Sequence, residues 1–305
     1  MTQVETTYPN NERILAETHY EISEFLKVFG SLVERHLIGE RRQRPFCRLA
    51  VCEIMTLLVA FQRIGALDFK HFYKEVICQF HRKEFPHRIS YERFVYVAPI
   101  ALIPLALFLK FRMERSPKTG LYVIDSTPLR VCQNLRIPRH RGFKTWAGRG
   151  KSSTGWFYGF KLHFVTNHQG DLMDVFISAG NYDDRKPVLQ LVQELRGKLF
   201  GDRGYIKKEL VTELLEQGIE LITSLKKNMK PVQRSLVDRL LLRKRSIIET
   251  VNDLLKNHFQ IEHSRHRSLA GLLNNLLGGL IAYTFHPSQP HMRGVEIVGA
   301  LTVIG

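Results

Sequence analysis

Three carboxylates in this chain stand in different local settings and could together hold metal ions. Asp125 ends the uncharged, apolar run 121–124, and Asp202 follows the run 198–201. Glu249 lies inside a basic segment with helical patterning, residues 243–256. Mg²⁺ and similar hard cations prefer carboxylate oxygens as ligands, and two such ions roughly 4 Å apart can promote phosphodiester cleavage and transfer. Each acid alone could equally be a turn former or an ion-pair partner, so the prediction depends on all three together.

The composition indicates a polyanionic partner. The 305 residues include 45 Lys and Arg against 29 Asp and Glu, a formal net charge of +16. Basic side chains bind nucleic acid by releasing counterions from its phosphates, which we prefer to a merely solvated basic surface because the charge is clustered. The four cysteines are too scattered for a disulfide framework or a zinc site, and this favours a reduced, intracellular protein.

Residues 12–113 are predicted to be helical. One helix is expected to end at Gly65, a second to begin at Asp68, and a third to begin at Ser90. The helix–glycine–helix segment 49–77 is typical either of a DNA-reading helix-turn-helix or of a plain αα-hairpin. The most apolar stretches, 98–111 and 269–285, are interpreted as buried core helices rather than membrane spans, so no membrane partner is expected.

After a linker-like segment, 116–120, the pattern changes from helical to strand-like. The predicted order is β-β-β-α-β-α-β-α, with strands at 122–125, 155–166, 172–178, 198–200 and 219–223, helices at 185–195 and 206–216, and a basic helix after the last strand. This order indicates an α/β domain with a mixed five-stranded sheet and flanking helices, preceded by an all-α domain. Asp183 and Asp184 are most simply interpreted as acids at the start of the first of these helices, and a supporting role near the metals is the less favoured alternative.

The helix around Glu249 carries a second indication of chemistry. Arg245, Asn252 and Lys256 lie on the same helical stripe as Glu249. Cations on either side of a metal-binding glutamate would hold substrate phosphates next to the metals. A plain intrahelical ion-pair series gives the same spacing, and the two interpretations are compatible.

Several of these segments together resemble one known family. The matching segments are VIDSTP (123–128), GKSSTGWFYGFKLH (150–163), GDRGY (201–205), IIETV (247–251) and QIEHSRHRS (260–268). They resemble bacterial insertion-sequence transposases of the DDE type, most closely the nine-eighty-two group, over about residues 121–283. In a broader set of related transposases the third acid lies in the pattern Tyr-x2-Arg-x3-Glu-x6-Lys. This chain has Leu242 at the tyrosine position, followed by Arg245, Glu249 and Lys256 at the others.

The resemblance implies an RNase H-like DDE catalytic domain at 120–285, a helical DNA-end-binding domain at 1–115, and a tail at 286–305 with no assigned role. It implies a Mg²⁺-dependent polynucleotidyl transferase and nuclease, with two Mg²⁺ ions, or Mn²⁺ as a substitute, on Asp125, Asp202 and Glu249. The substrates would be double-stranded DNA: the transposon's terminal inverted repeats, which the enzyme cleaves, and the target, which receives the 3′-hydroxyl. A homodimer on DNA and a cytoplasmic, nucleoid-associated location follow by the same resemblance.

A basic loop next to the acids is predicted to contact DNA. Residues 126–161 contain no acid and hold both tryptophans. Trp146 is expected either to stack on an unpaired base or to pack on the domain, and Trp156 is expected in the core because it begins a strand. The predicted DNA-contacting residues are Arg136, Arg139, Arg141, Lys144, Trp146, Arg149, Lys151, Arg245, Lys256, Arg265 and Arg267.

Two other functions are compatible with these features. A non-catalytic DNA-binding regulator descended from a transposase would need no intact acids, and their presence argues against it. A metal-dependent nuclease that does not join strands would differ only in lacking strand transfer.

Overall fold

The computed structural model describes residues 8–38, 48–140, 142–152, 155–224, 234–262, 266–298 and 301–304. The chain divides into two compact units. The helical unit comprises Met1–Arg112 and Leu255–His286, and the sheet unit comprises Met113–Leu254 and Pro287–Gly305. These units differ from the predicted boundaries 1–115, 120–285 and 286–305, because Leu255–His286 belongs to the helical unit and the tail belongs to the sheet unit.

The N-terminal part of the helical unit follows ordinary capping rules. Its helices are α1 (Tyr8–Ile38), α2 (Val51–Ile64), α3 (Phe69–His71), α4 (Cys78–Phe80), α5 (Tyr91–Val97) and α6 (Leu102–Glu114), with a π-helical turn at Phe72–Ile77 and a 3-10 turn at Ala98–Ala101. Gly65 ends α2 with a φ of 72°, a left-handed conformation that glycine adopts without steric cost. Asp68 and Ser90 accept backbone hydrogen bonds at the starts of α3 and α5, which confirms these predicted helix starts.

The apolar stretch formed by α5 and α6 has the composition of a core helix. Within the part of the chain that the structure describes, Tyr91–Glu114 is the one helical stretch long and apolar enough to cross a membrane. Core helices that are buried in a protein pass the same test of length and composition. Leu105 and Phe108 are completely buried, and the Phe108 ring lies 5.2 Å from the Phe25 ring of α1. This burial agrees with the interpretation of 98–111 as part of a core.

The sheet unit is a mixed α/β structure. It contains the strands β1 (Leu121–Cys132), β2 (Gly148–Ser152), β3 (Gly155–Asn167), β4 (Leu172–Ala179), β5 (Gly197–Gly201) and β6 (Ile219–Thr223), and the helices α7 (Val188–Leu191), α8 (Lys208–Glu216), α9 (Leu236–Lys244) and α10 (Ile247–Asp253). Its described strands are ordered β2-β3-β1-β5-β6, and β4 also pairs with β3. The pairs of β3 with β1, β2 and β4 are antiparallel, and those of β5 with β1 and β6 are parallel. This arrangement confirms the predicted α/β class with flanking helices.

The sheet differs in detail from the prediction. β2 is an additional strand, and its glycines and basic residues give no apolar alternation by which to recognise it. β1 extends to Cys132, so Asp125 lies within the strand rather than at its end, because the long β3 pairs with β1 from Tyr122 to Cys132. The predicted helix 185–195 is reduced to α7, and the predicted helix 206–216 begins at Lys208.

The core of the sheet unit holds β1 and β5 in place. Tyr122 of β1, Leu199 of β5 and Ile219 of β6 are buried together with Val188 of α7 and Leu214 of α8. Burial of an aliphatic side chain of this kind contributes about 1.5–3 kcal/mol. The central strands are therefore fixed by packing on α7 and α8 as well as by their hydrogen bonds.

The C-terminal segments complete both units. In the helical unit α11 (Leu269–Thr284) begins at Ser268, whose side chain accepts the Gly271 N–H. The side chains of Asn274 and Asn275 bond to Ala98 O (2.9 Å) and Gln62 Nε2 (2.7 Å), which explains two polar residues in so apolar a helix. In the sheet unit β7 (Val295–Val298) and β8 (Leu301–Ile304) pair as an antiparallel hairpin.

Gly150 of β2 lies close to the backbone of Gly180, so a substitution at Gly150 tests the packing of β2. A Cβ at Gly150 would lie 2.1 Å from Gly180 O and 2.7 Å from the Phe157 ring. We expect Gly150→Ala to lower the free energy of unfolding by roughly 1–3 kcal/mol, since the backbone must move to accept the methyl group. Urea denaturation measures this change. Lys151→Ala, at an exposed neighbouring position, is the control and should stay within about 0.5 kcal/mol of the parent. Equal stability of both variants would contradict the close packing of β2.

Candidate active site

Asp125 and Asp202 occupy equivalent positions on neighbouring parallel strands. The parallel pairing of β1 with β5 ends at Val123 and Phe200. Each aspartate lies two residues after its member of this last pair, on the same side of the sheet by the alternation of side chains. Both carboxylates therefore lie where β1 and β5 separate, and burial, with a smaller contribution from the negative charge of Asp202, raises the pKa of Asp125.

Asp125 is enclosed by its own strand and by α10. Its Oδ1 accepts the Ser126 N–H at 2.8 Å, and its Oδ2 accepts a hydrogen bond from Asn252 Nδ2 at 3.0 Å. Burial raises the pKa of the Asp125 carboxyl to about 6, although the Ser126 N–H and the Arg245 guanidinium both favour the charged form. A carboxylate with a pKa this high is one whose negative charge the surrounding protein does not fully compensate.

Asp202 is exposed and held by a turn. Its Oδ1 accepts the Gly204 N–H at 2.7 Å and caps the short 3-10 turn Arg203–Tyr205. The Tyr205 side chain is buried next to the acids, and burial together with the charges of Asp125, Asp184 and Asp202 raises the pKa of its hydroxyl well above the usual value. Tyr205 therefore stays a neutral hydroxyl at the acidic cluster.

Glu249 lies in the first turn of α10. α10 packs on β1, and Arg245 and Asn252, at i−4 and i+3 from Glu249, both interact with Asp125. Asn252 lies on α10 itself, whereas Arg245 lies in the turn between α9 and α10. Glu249 itself is exposed. The structure thus brings the helix that carries Glu249 to the strand that carries Asp125.

A fourth acid lies closer to the site than the sequence suggested. The Asp184 carboxylate raises the pKa of Asp125, and it forms a salt bridge with Lys161 Nζ at 2.9 Å. Its Oδ1 is 3.6 Å from His163 Nδ1, and His163 Nε2 lies 2.8 Å from Ser178 Oγ. The interpretation of Asp184 as a first-turn acid is wrong, because the helix starts only at α7 and leaves Asp184 free to face β3.

Asp183, the other acid of this pair, has a local role. Its carboxylate binds the backbone N–H and the side chain of Arg185, with N···O distances of 2.6–2.9 Å. This ion pair lowers the pKa of Asp183. The local sequence does not show which of the two acids approaches Asp125. That depends on how β3 pairs with β1 and β4.

The chemistry of these side chains fits a hard divalent cation. Their donors are carboxylate oxygens, and the buried Asn252 Oδ1 has no hydrogen-bond partner. Among the residues that the structure describes, however, no three His, Cys, Asp or Glu side chains are already grouped to hold a metal ion. The assignment of Asp125, Asp202 and Glu249 as a shared metal site therefore stays a prediction.

The predicted DNA-contacting residues lie in different settings. Those with exposed side chains are Arg136, Arg139, Lys144, Trp146, Arg149, Lys151 and Arg267. Arg245 is partly buried beside Asp125, and Lys256 forms a salt bridge with Glu262 at 2.9 Å in the helical unit. Arg141 and Arg265 lie outside the described residues. The prediction that Trp156 is a core residue is wrong: its side chain is 53% exposed, because position 156 alternates with the buried Phe157 on β3.

The raised pKa of Asp125 predicts how stability depends on pH. A folded-state pKa of about 6, above the ordinary 3.8, means that the unfolded chain loses this proton first as the pH rises. Below pH 4 the raised pKa of Asp125 does not change the free energy of unfolding. Above about pH 6 it lowers that free energy by its full amount. Two pKa units correspond to about 3 kcal/mol. Without added metal, we expect Asp125→Asn to gain about 2–3 kcal/mol relative to the parent between pH 4 and pH 7.

Chemical denaturation at a series of pH values measures this difference. Glu216→Gln, at an exposed carboxylate at the end of α8, is the matched control and should show no comparable gain. A difference between Asp125→Asn and the parent that does not change with pH would contradict the buried, crowded setting of Asp125.

Comparison with known proteins assigns the chain to a family. A family model described as the transposase DDE domain matches residues 115–269, just over half of the 305-residue chain. No curated protein and no solved structure shows significant similarity. The matched range includes Asp125, Asp202 and Glu249, and the chain belongs to the family of insertion-sequence DDE transposases.

Proposed function

We propose that this transposase cleaves DNA at transposon ends and transfers the resulting 3′-hydroxyl to target DNA, as a metal-dependent polynucleotidyl transferase and nuclease with an RNase H-like catalytic domain. The observation that carries the proposal is the meeting of Asp125 and Asp202 where β1 and β5 separate. Burial raises the pKa of Asp125, the charges of Asp202 and Asp184 add to the shift, and a bound cation would stabilise the ionised carboxylates.

Asp125, Asp202 and Glu249 would hold two Mg²⁺ ions, for which Mn²⁺ could substitute. When bound, such ions activate the attacking oxygen and stabilise the leaving 3′-oxygen. Asn252 orients the Asp125 carboxylate through its 3.0 Å hydrogen bond, and Arg245 adds a positive charge beside it. Arg245 would hold a DNA phosphate next to the acids, and Lys256 would do so further along the chain.

The proposed partners are the terminal inverted repeats of the element and a target duplex. The exposed cations of the sheet unit between Arg136 and Lys151 would contact DNA phosphates, as would Arg141, Arg265 and Arg267. The N-terminal helices of the helical unit would bind the transposon ends. We further propose a homodimer on DNA, which pairs the two ends, and a cytoplasmic, nucleoid-associated location without a membrane partner.

Substitution of the acids tests the proposed chemistry. We expect Asp125→Asn, Asp202→Asn and Glu249→Gln each to reduce Mg²⁺-dependent cleavage of a terminal-repeat duplex to background. Binding of the duplex in Ca²⁺ should persist, because the phosphate-contacting cations are unchanged. Cleavage on denaturing gels and binding by fluorescence anisotropy measure the two properties. Full cleavage by any one variant would refute that residue's role, and joining of a pre-cleaved end to a target separates a transposase from a simple nuclease.

Thermal denaturation tests the metal site without an activity assay. We expect millimolar Mg²⁺ to raise the melting temperature of the parent at pH 7.5, because a ligand that binds only the folded state stabilises it. The shift should disappear in Asp125→Asn and in Asp202→Asn and persist in Glu216→Gln. A melting temperature of the parent that neither Mg²⁺ nor Mn²⁺ changes would argue against a metal site on these carboxylates.

A further inference from the structure

The outer face of the β2–β3 hairpin places an aromatic ring among cations. Lys151 pairs directly with Trp156 across the two strands, and Arg149 pairs with Tyr158 one step further along the same face. Arg149 Cζ and Lys151 Nζ lie 5.4 Å and 5.8 Å from the centre of the Trp156 ring. Distances below about 6 Å allow a cation–π attraction that holds such side chains together.

Part of this face is open to solvent: Arg149, Lys151 and Trp156 are exposed, whereas Tyr158 is buried. Gly148 and Gly150 alternate with Arg149 and Lys151 along β2, and a Cβ at either glycine would collide with the backbone or side chain of residues 180–181. The inner face is therefore pressed against that segment, and the cations and Trp156 must point outward. Asn134 Nδ2 donates to Trp156 O at 2.9 Å and further fixes the position of the tryptophan.

An exposed tryptophan is unusual unless a partner covers it. More than half of the Trp156 side chain is accessible, and Arg149 and Lys151 are exposed beside it. Residues 126–152 contain no acidic side chain, and the two charged groups over the ring, Arg149 and Lys151, are both positive. An aromatic face beside cations matches a nucleotide, whose base can stack on the ring while its phosphates meet the positive charges.

We propose that the surface formed by Trp156, Arg149 and Lys151 binds unpaired nucleotides of DNA, with one base stacked on Trp156. An intact duplex stacks its bases on one another and offers only its phosphates to such a surface. The proposal deepens the proposed function, on which it rests for the identity of the polymer as DNA. It assigns to the hairpin the recognition of frayed or single-stranded DNA, separate from the carboxylates that would cleave it.

The two tryptophans of the chain allow a direct test. Trp146→Phe leaves Trp156 as the single tryptophan, and Trp156→Phe leaves Trp146, so that excitation selective for tryptophan reports on one ring at a time. Each full-length variant is titrated, without divalent metal, with a deoxythymidine oligomer and with a blunt duplex of equal length. We expect the oligomer to quench Trp156 strongly and the duplex to quench it little. Equal quenching by the duplex, quenching of Trp146 alone, or binding of the oligomer without a change at Trp156 would overturn the proposal.

Affinity measurements complete the test. Trp156→Leu should weaken binding of the labelled oligomer roughly 5- to 100-fold, the range for loss of one stacked base. Leu135→Ala removes an apolar side chain that is 92% exposed in the same segment, and this control should bind as the parent does. An equal affinity of Trp156→Leu and Leu135→Ala would refute the stacking. Circular dichroism of each variant verifies that the fold is retained.

The phosphate contacts have their own readout. Arg149→Gln should reduce the slope of log affinity against log salt by roughly 0.7 for the single strand. An unchanged slope would remove Arg149 from the surface. These titrations use no cleavage step, so they test the surface separately from catalysis. A protein that stacks DNA but does not cut it would contradict only the proposed catalytic function. A protein that cuts DNA but does not stack it on Trp156 would contradict only this inference.

Discussion

The burial of the Asp125 carboxyl is the constraint on which the candidate site depends, because a charged carboxylate loses its hydration when it is buried. The parallel pairing of Val123 with Phe200 brings Asp125 and Asp202 to neighbouring positions, and Asp184 adds a further negative charge. Burial and this crowding raise the pKa of Asp125 to about 6. Such an arrangement opposes folding at neutral pH, and it persists because the packing of Leu199 and its neighbours fixes the strands.

The cations of the sheet unit form two groups, one beside the acids and one further away. Lys161 forms a salt bridge with Asp184, the positive charge of Arg245 favours the ionised form of Asp125, and the two cations offset part of the negative charge. Arg149 and Lys151 instead lie on the outer face of the β2–β3 hairpin, beside Trp156. The same strand β3 carries Lys161 in the sheet and Trp156 near its start. One strand therefore connects the candidate catalytic cluster to the proposed surface for unpaired DNA.

The local patterns that were predicted correctly are those in which the backbone decides the outcome. Gly65, Asp68 and Ser90 mark helix ends because a left-handed glycine and a capping side chain act within one turn. The strand patterns of β3, β4 and β6 also agree, since alternation depends on which faces are buried. β2 was missed because close packing of Gly148 and Gly150 on the neighbouring backbone, and not apolar side chains, holds that strand.

By itself, the sequence determined the α/β class and the resemblance to the DDE transposases, because motifs and periodicity are properties of neighbouring residues; the role of the three acids stays a prediction. Only the tertiary structure decided that Asp184 joins the acids while Asp183 binds Arg185. It also decided that Trp156 faces solvent and that Leu255–His286 belongs to the helical unit. These outcomes depend on strand register and on which face another segment covers, and both arise from contacts between residues far apart in the chain.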